Sequence, residues 1–284
     1  MPAAETGFIL KKKDDLAYLQ AFLFEKSGLV DHAFSTRLGG VSSGHLASLN
    51  TAFHTGDREE NVLENRRRFF ELFGYDHLAL TSSIQVHGSK LFEFDDRNRG
   101  EGALPKSASR RCDALITAEP GLPLAAYSAD CQLVYISSNK GRPLVALAHA
   151  GWRGTLAGIG VKVIRYLQDR YMLDPGCLLA ALSPAICRNC YTVGSDAAAK
   201  FQSAGWGGSP YLEPAGSGKY SLDLSAINTA ILLRAGVKAE NLAVNRWCTA
   251  CRPDLFYSYR RDKGTTGRMI GFIAIRDPLG GKQT

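Results

Sequence analysis

Apolar and polar positions alternate in blocks along the chain, and the apolar blocks predict strands separated by short polar breaks. From Asp113 onward the blocks follow one another closely, and most of them are apolar throughout. Uninterrupted apolar runs of this length are typical of strands that are covered on both faces. The predicted strands are "DALIT" (113–117), "LPLAAYS" (122–128), "QLVYISS" (132–138), "PLVALAH" (143–149), "LLAALS" (178–183), "LAVNRW" (242–247) and "MIGFIAIR" (269–276).

Helical patterns lie between these runs. Asp57 with Glu60 three residues later is typical of a helix start, and Gly74 ends the helix that follows. Further helices are predicted over 16–26, 155–172 and 224–236, and "VDHAFSTR" (30–37) is predicted as a strand. "TSSIQVH" (81–87) and "KLFEFDD" (90–96) are predicted to pair around a turn, and 97–111 is predicted as a surface loop. We therefore expect one α/β domain, residues 1–284, with mixed β-sheets.

The charge balance favours an anionic partner. The chain of 284 residues has 34 Lys+Arg against 27 Asp+Glu, a formal net charge of +7. The basic residues are scattered rather than gathered into a stripe, and no nucleic-acid-binding motif accompanies them. We expect an anionic small molecule as partner, with no nucleic acid and no membrane, and the sequence leaves the oligomeric state open.

The cellular compartment is suggested by what the chain lacks and by its cysteines. "MPAAETGFILKKKDD" has no apolar segment before its charges, and no run approaches the roughly 18 apolar residues of a membrane helix. Seven cysteines is an odd number in a chain without an export signal. We expect reduced thiols in the cytoplasm, used for metal binding or reactivity rather than for disulfides.

Two of the six histidines stand where apolar runs meet glycine. His87 lies in "QVHG" and His149 in "AHAG", and Cys131 occupies a comparable junction in "SADCQL". Two imidazoles and one thiolate are a sensible ligand set for Zn²⁺, with the fourth position left for water or substrate. The alternative is that each histidine bonds to backbone at a strand end and that Cys131 packs as a small hydrophobic residue.

Arginines next to predicted strand ends are candidates for binding an anion. In "GWRG" the glycines permit close approach of a ligand, the following helix presents free N–H groups, and Arg153 supplies a bidentate fork. Arg37 in "FSTR" and Arg260 and Arg261 in "YSYRR" raise the same expectation of a polyanionic substrate. The alternative is that each arginine forms a surface ion pair worth about 0–1 kcal/mol.

The remaining cysteine pairs, "CRNC" and "CTAC", leave two interpretations open. Cys187, Cys190, Cys248 and Cys251 could form a four-cysteine zinc site, but the gap between the pairs far exceeds the roughly 15–20 residues of a zinc ribbon. The pairs would have to meet through the fold. We therefore favour unlinked reduced thiols at this stage. A thioredoxin-like redox site is less favoured, because neither pair opens a helix after a strand.

The chain resembles the YfiH/YlmD family, the laccase-domain proteins described as purine nucleoside phosphorylases. The resemblance runs through nearly the whole chain in eight blocks. They are "HAFSTRLGGVSSGHLASLN", "HTGDREENVLENRRR", "QVHG", "CDALIT", "SADC", "HAGWRGTLAGIG", "LSPAICRNCYTVG" and "WCTACRPDLFYSYRRDKGTTGRM". This chain departs from the family pattern at Ser183, usually glycine, and at Thr192, usually an acid.

The resemblance implies a zinc enzyme. It implies one catalytic zinc held by His87, Cys131 and His149, and a YfiH-like single α/β domain with mixed β-sheets sandwiched between helices. It also implies phosphorolysis of purine nucleosides such as adenosine, inosine and methylthioadenosine, and deamination of adenosine to inosine. Copper is the alternative metal, since the family also carries a polyphenol oxidase description. Asn50, which ends the first block, joins Arg37, Arg153 and Arg260 as a substrate-binding candidate.

Chemistry at the metal needs further residues and has rivals. Asp130 or Asp113 is our candidate to move a proton during deamination, and Phe34, Trp152 or Tyr257 to stack on the base. A cysteine-type amidase or peptidoglycan-editing hydrolase would use Cys131 as its nucleophile with a neighbouring histidine. A multi-copper oxidase would want many imidazoles, and the chain has six histidines in all. The remaining alternative is a zinc-stabilised binding protein without turnover.

Overall fold

The computed structural model describes residues 7–107, 109–138 and 141–277. The first six residues, on which the expectation of no export signal partly depends, lie outside the described residues. The strands are β1 (Phe8–Lys13), β2 (Leu16–Ala21), β3 (Val30–Ser35), β4 (Thr81–Ser82), β5 (Leu91–Phe94), β6 (Ala114–Thr117), β7 (Leu124–Ser128), β8 (Gln132–Ser138), β9 (Val145–Ala150), β10 (Leu178–Leu182), β11 (Thr192–Gly194), β12 (Leu212–Pro214), β13 (Lys219–Leu222), β14 (Leu242–Val244) and β15 (Met269–Ile275). The α-helices are α1 (Phe22–Ser27), α2 (Glu59–Glu71), α3 (Trp152–Leu156), α4 (Ile159–Tyr171), α5 (Ser195–Ser203) and α6 (Leu224–Arg234).

Most of the strands form two six-stranded sheets. The first has the order β1-β2-β3-β15-β7-β4 and the second β14-β10-β8-β9-β6-β5. Each sheet is mixed: the pairs β4–β7, β5–β6 and β10–β14 are parallel and the others antiparallel. A three-stranded antiparallel sheet, β11-β13-β12, stands apart from these two. The predicted α/β fold with mixed sheets is confirmed.

The main core lies between the two large sheets. Along β8, Leu133 and Tyr135 point into this core, whereas Val134 and Ile136 point to the opposite face. The same alternation runs through the central strands of both sheets, because successive side chains of a strand face opposite ways. The two sheets approach closely at Gly271 of β15, where an added Cβ would lie 2.1 Å from the Tyr135 hydroxyl oxygen. Both faces of these strands are thus buried, as their apolar runs predict.

Helices cover the outer faces of both large sheets. Helix α2 packs Phe69 and Phe70 against β15, where Phe272 forms a tilted ring contact at 5.1 Å from Phe70. On the other side, α4 and the end of α6 bury an apolar stripe against the second sheet. Helix α5 and the small sheet form a further core with α6. The predicted layering, sheets between helices, is present.

Several local predictions are wrong. His87 does not end a strand, because β4 ends at Ser82 and His87 lies in the loop that follows. Asp57 does not cap α2, whose N-cap residue is Arg58. The predicted helix over 16–26 is β2 followed by the short α1, and the burial of 16–21 largely alternates, as in a strand. The strands β4 and β5 do not pair with each other, because the loop between them crosses from the first sheet to the second. The predicted helix over 155–172 begins earlier, at Trp152, and is divided into α3 and α4 at Gly158, whose φ of +69° lies in the left-handed region.

Within residues 7–107, 109–138 and 141–277, no helix combines the length and the apolar composition that a bilayer span requires.

Candidate metal centre

Strand register brings Cys131 and His149 to the same face of the second sheet. β8 and β9 are antiparallel, with Leu133 opposite His149 and Gln132 opposite Ala150. His149 has the same parity as Val145 and Leu147, and Cys131 the same parity as Leu133, so both side chains point toward the space between the sheets. The alternation that builds the core therefore also places a thiol and an imidazole next to each other at its edge.

His87 reaches the same place from the loop that joins the two sheets. Asp113, the residue just before β6, fixes this loop by accepting backbone N–H hydrogen bonds from His87 at 2.9 Å and from Gly88 at 2.7 Å. The backbone of His87 has a φ of +56°, a conformation that residues other than glycine adopt rarely. Asp113 Oδ1 also lies 2.9 Å from His149 Nδ1. One fully buried carboxylate thus positions both histidines.

The three side chains converge tightly. One ligand atom of each of His87, Cys131 and His149 lies within 4.8 Å of the other two, and the two imidazole rings meet edge to face at 4.8 Å. Gly151 covers the group: an added Cβ would lie 3.0 Å from Cys131 Sγ and 3.1 Å from His87 Nδ1. A side chain at this position would therefore crowd two of the three donor atoms. The donor set and its spacing fit a single metal ion.

The group is open on one side. His149 is buried, Cys131 is half-buried and His87 is exposed. Three protein donors with an open side are typical of catalytic zinc sites, whereas structural zinc sites are closed by a fourth protein ligand. The geometry therefore leaves room for a ligand from solution next to the exposed imidazole.

Without a metal ion, electrostatics favour a thiolate at Cys131 and a protonated imidazole at His149, whose proton a metal ion would displace. Burial would raise the pKa of the Cys131 thiol, but the charge of His149 and hydrogen bonds from both histidines outweigh it and bring the pKa to about 6. Burial would lower the pKa of His149, but the Cys131 thiolate and Asp113 outweigh it and raise the pKa to about 9. Cys131 is therefore a thiolate at neutral pH, the form in which cysteine binds metals and attacks electrophiles.

Four arginines have no carboxylate within ion-pair distance among the residues that the structure describes: Arg37, Arg153, Arg260 and Arg268. Arg153 is exposed at the start of α3 and stacks on the Trp152 ring at 4.3 Å. Arg260 stacks on Tyr191 at 4.8 Å and donates to the Thr192 carbonyl, so the departure at Thr192 lies next to this arginine. Arg37 lies over the Tyr257 ring and donates to the carbonyls of Ala47 and Pro253. Arg261, in contrast, pairs with Asp262.

Asp130 holds the loop that carries Arg260. Its Oδ1 accepts from the Thr249 hydroxyl at 2.6 Å, and its Oδ2 accepts from the Arg260 backbone N–H at 2.7 Å. Its φ of +91° is an unfavourable backbone conformation for a residue with a side chain, and such strain costs about 1–3 kcal/mol. The hydrogen bonds hold Asp130 in this conformation, which directs the chain into Cys131.

Some candidates from the sequence have their side chains inside the protein. Asn50 is fully buried, and its amide donates to Thr55 Oγ1 and Asp57 Oδ2 while accepting from the Arg268 backbone N–H. It stabilises the framework and presents no surface to a ligand. Phe34 and Tyr257 are fully buried in the main core and cannot stack on a base, whereas Trp152 is partly exposed.

Two residues near the site were missed by the sequence reasoning, Tyr191 and Arg268. Burial raises the pKa of Tyr191 to about 12, the charge of Cys131 also raises it, and the charges of Arg260 and Arg153 act in the opposite direction. The Tyr191 hydroxyl is therefore within electrostatic reach of the thiolate and of both arginines. Burial lowers the pKa of Arg268, which the charges of Cys131 and Asp130 counteract. Both residues lie in the quoted blocks "CRNCYTVG" and "TTGRM", which was the available signal.

The four remaining clustered cysteines also meet. The loop before β11 carries Cys187 and Cys190, the loop after β14 carries Cys248 and Cys251, and the four sulfurs lie within 4.8 Å of one another. The sequence favoured unlinked thiols, whereas the fold brings these four sulfurs together. An isolated parallel β-bridge, formed by backbone pairing of Ala185 with Cys248, aligns the two loops.

Comparison with known proteins agrees across sequence and structure. A family model described as multi-copper polyphenol oxidoreductase laccase matches residues 31–276. Purine nucleoside phosphorylase YlmD of Geobacillus stearothermophilus is 39% identical over 253 residues, covering 86% of this chain and 89% of the relative. A purine nucleoside phosphorylase of Deinococcus radiodurans is 38% identical over 246 residues, covering 87% and 89%. The crystal structure of YlmD from Geobacillus stearothermophilus superimposes with a TM-score of 0.88 at 35% identity, covering 95% of this chain and 100% of that one.

Proposed function

The chain belongs to the YfiH/YlmD family, the family of the multi-copper polyphenol oxidoreductase laccase model, and on this premise we propose that it is a zinc-dependent purine nucleoside phosphorylase. The proposed substrates are adenosine, inosine and methylthioadenosine together with phosphate, and the proposed second activity is deamination of adenosine. Relatives at 38–39% identity carry the phosphorylase name, which supports the reaction class. We further propose that the enzyme is cytoplasmic.

The observation that carries the proposal is an open His₂Cys donor set next to arginines that lack acidic partners. His87, Cys131 and His149 would hold the ion, and Gly151 keeps the space over them free. When bound, zinc supplies Lewis-acid stabilisation of negative charge that develops in the reacting groups. Charge that builds on the departing purine and on the attacking phosphate needs cationic surroundings of this kind.

The chain's own residues position the reactants. The Asp113 carboxylate, 2.9 Å from His149 Nδ1, would hold a proton on that nitrogen and leave Nε2 to bind the metal ion. Arg153 and Arg260 are proposed to bind phosphate, because a guanidinium can donate two parallel hydrogen bonds to an oxyanion. Arg37 is proposed to assist at the edge of the site. Tyr191, between the thiolate and these arginines, is placed to contact the sugar or the base.

Asp130 is the better of the two predicted proton carriers. Asp113 is completely enclosed and its carboxylate is used by the His87 loop and His149. The Asp130 oxygens also accept hydrogen bonds, from the Thr249 hydroxyl and the Arg260 N–H, but Asp130 is 7% exposed, against 0% for Asp113, and lies directly before Cys131. We therefore propose that Asp130 moves the proton during deamination and that Asp113 is a positioning residue.

The test is a matrix of substrates and metals. Purified protein is incubated with adenosine, inosine or methylthioadenosine, each with and without phosphate, after addition of zinc or of copper to the metal-free form. We expect free purine base only when phosphate and zinc are both present, and inosine from adenosine without phosphate. Absence of base release at saturating zinc and phosphate would contradict the proposal and favour a binding protein without turnover.

One rival function has an observation in its favour. Cys131 and His149 form a thiolate–imidazolium pair by their pKa values of about 6 and 9, as a cysteine hydrolase would require. Chelation separates the two, because a metal-free thiol enzyme keeps its activity and a zinc enzyme loses it. A multi-copper oxidase is less well supported, since only two imidazoles share a site within the described residues.

A further inference from the structure

The four cysteines that the proposed activity does not use form a second cluster with the geometry of a metal site. Cys187 precedes a short 3₁₀ turn, Arg188–Cys190, which Cys190 ends, and Cys248 and Cys251 are the first and last residues of the turn "CTAC". The four sulfurs lie within 4.8 Å of one another, and the sulfurs of Cys190 and Cys251 are 3.4 Å apart. A tetrahedral zinc site with Zn–S bonds of about 2.3 Å has sulfur–sulfur edges of about 3.8 Å. The cluster is therefore close to the required size.

The backbone supports negative charge on one of these sulfurs. Within the first pair, the Cys190 N–H donates to the Cys187 carbonyl at 3.0 Å, which closes the turn between the two cysteines. The Cys187 N–H donates to Cys248 Sγ at 3.2 Å, across the two loops. This N–H group directs its positive end at one of the four sulfurs, whereas the arginines of the two loops, Arg188 and Arg252, pair with Glu213 and Asp254.

We propose that Cys187, Cys190, Cys248 and Cys251 bind one structural Zn²⁺ ion as a closed tetrathiolate site, separate from the His87–Cys131–His149 group. Four protein thiolates complete the coordination, so this ion keeps no position for substrate. The ion would join the loop before β11 to the loop after β14. Among the described residues, these two loops contain no other group that could hold a metal ion.

The position of the cluster explains what such an ion would stabilise. Ile186, next to Cys187, donates its N–H to the Asp130 carbonyl at 3.0 Å. Thr249, between Cys248 and Cys251, donates its hydroxyl to the Asp130 carboxylate. Both loops therefore hold the strained residue that precedes Cys131. Binding of the second ion would fix the loops before any substrate arrives, which is a role in stability rather than in chemistry.

The experiment uses the Cys131→Ala chain, in which the first site lacks its thiolate. This variant is purified without chelator, its zinc content is measured, and the metal is exchanged for Co²⁺. We expect one tightly held ion per chain and the thiolate-to-cobalt charge-transfer and visible bands of tetrahedral tetrathiolate Co²⁺. A second change, Cys190→Ser with Cys251→Ser, should abolish both. Cys177→Ser, a half-buried cysteine outside both clusters, is the matched control and should retain both.

A measurement on the wild type tests the second metal site even if the variants misfold. Native mass spectrometry of the full-length wild type should give two zinc ions per chain, and its Tm should fall when a strong chelator removes them. Two outcomes would overturn the proposal. One is a Cys190–Cys251 disulfide with no metal in freshly purified protein; the other is a Cys131→Ala chain that binds no ion while its circular dichroism remains native. None of these measurements uses activity, so the second metal site can be tested even if the phosphorylase assay fails.

Discussion

Two cysteine-containing groups in this molecule differ in how they are built and in what they leave open. The His87–Cys131–His149 group takes two donors from paired strands and a third from a loop fixed by Asp113, and its His87 side is exposed. The four-cysteine cluster is built entirely from two loops and offers four thiol donors. Sheet register gives an incomplete donor set suited to chemistry, whereas loop closure gives a complete set suited to stability. The number of donors, rather than the residue types, distinguishes the two roles.

The largest expected effect separates the two groups directly. Cys131→Ala removes the only thiolate of the first group, so zinc at that group and phosphorolysis should be lost together, with activity at background. Phosphorolysis rates and zinc content are measured on the same sample, with Cys177→Ser as the control. If the variant kept two zinc ions per chain and lost only activity, Cys131 would be a nucleophile and the first group would not depend on it for metal.

Asp113→Asn tests the residue that joins the strand donors to the loop donor. The amide cannot accept all the hydrogen bonds that the carboxylate accepts from His87, Gly88 and His149. Loss of such a partner behind a metal-binding histidine typically costs about 10–100-fold in metal affinity or activity. Competition with a zinc chelator should show this loss at the first group alone. An unchanged affinity would mean that Asp113 serves the fold only.

Gly151→Ala adds a single methyl group over the donors. The new Cβ would meet Cys131 Sγ and His87 Nδ1 at 3.0 and 3.1 Å, so one of them has to move. We expect a loss of metal affinity of about tenfold or more, since displacements approaching 1 Å cost up to about 100-fold at such sites. Gly194→Ala is a close control: both glycines precede a helix, their φ values are −72° and −75°, and nothing lies within 4 Å of the added Cβ at Gly194. If both changes lowered metal affinity equally, the loss would come from the backbone and not from contact of the new Cβ with the donor atoms.

Arg153→Lys should give the smallest effect and should leave both metal groups loaded. Lysine keeps the charge but lacks the planar fork, so one charge-assisted hydrogen bond to phosphate is lost. The loss of about 1.5 kcal/mol corresponds to roughly a tenfold higher KM for phosphate. Deamination, which uses no phosphate, should change little. Arg165→Lys, on exposed α4 surface, is the control, and a parallel decline in both activities would remove Arg153 from phosphate binding.

The sequence predicted more of the first group than of the second, for a physical reason. Strand ends are marked by apolar runs, so Cys131 and His149 could be placed at such ends from the pattern alone, whereas His87, also predicted at a strand end, lies in the loop after β4. The common parity of His149 with Leu147 and of Cys131 with Leu133 then decides that they share a face. The apolar pattern of a strand does not show which sheet the strand joins. For that reason β4 and β5 were wrongly predicted to pair.

Much less of the loop structure could be predicted from the sequence. The convergence of Cys187–Cys190 with Cys248–Cys251 depends on the alignment of the two loops beside β10 and β14. The roles of Asn50 and Asp113 depend on burial, which a polar residue in a loop does not reveal. Buried polar groups must find partners inside the protein, and the identity of those partners is a property of the fold.

The most direct test is diffraction from crystals of the full-length protein grown with zinc, measured on both sides of the zinc absorption edge. The account predicts an anomalous peak about 2.0–2.1 Å from a nitrogen of His87 and of His149 and about 2.3 Å from Cys131 Sγ, with the fourth ligand not supplied by the protein. Zinc absent from these three residues, or closed there by a fourth side chain, would contradict it.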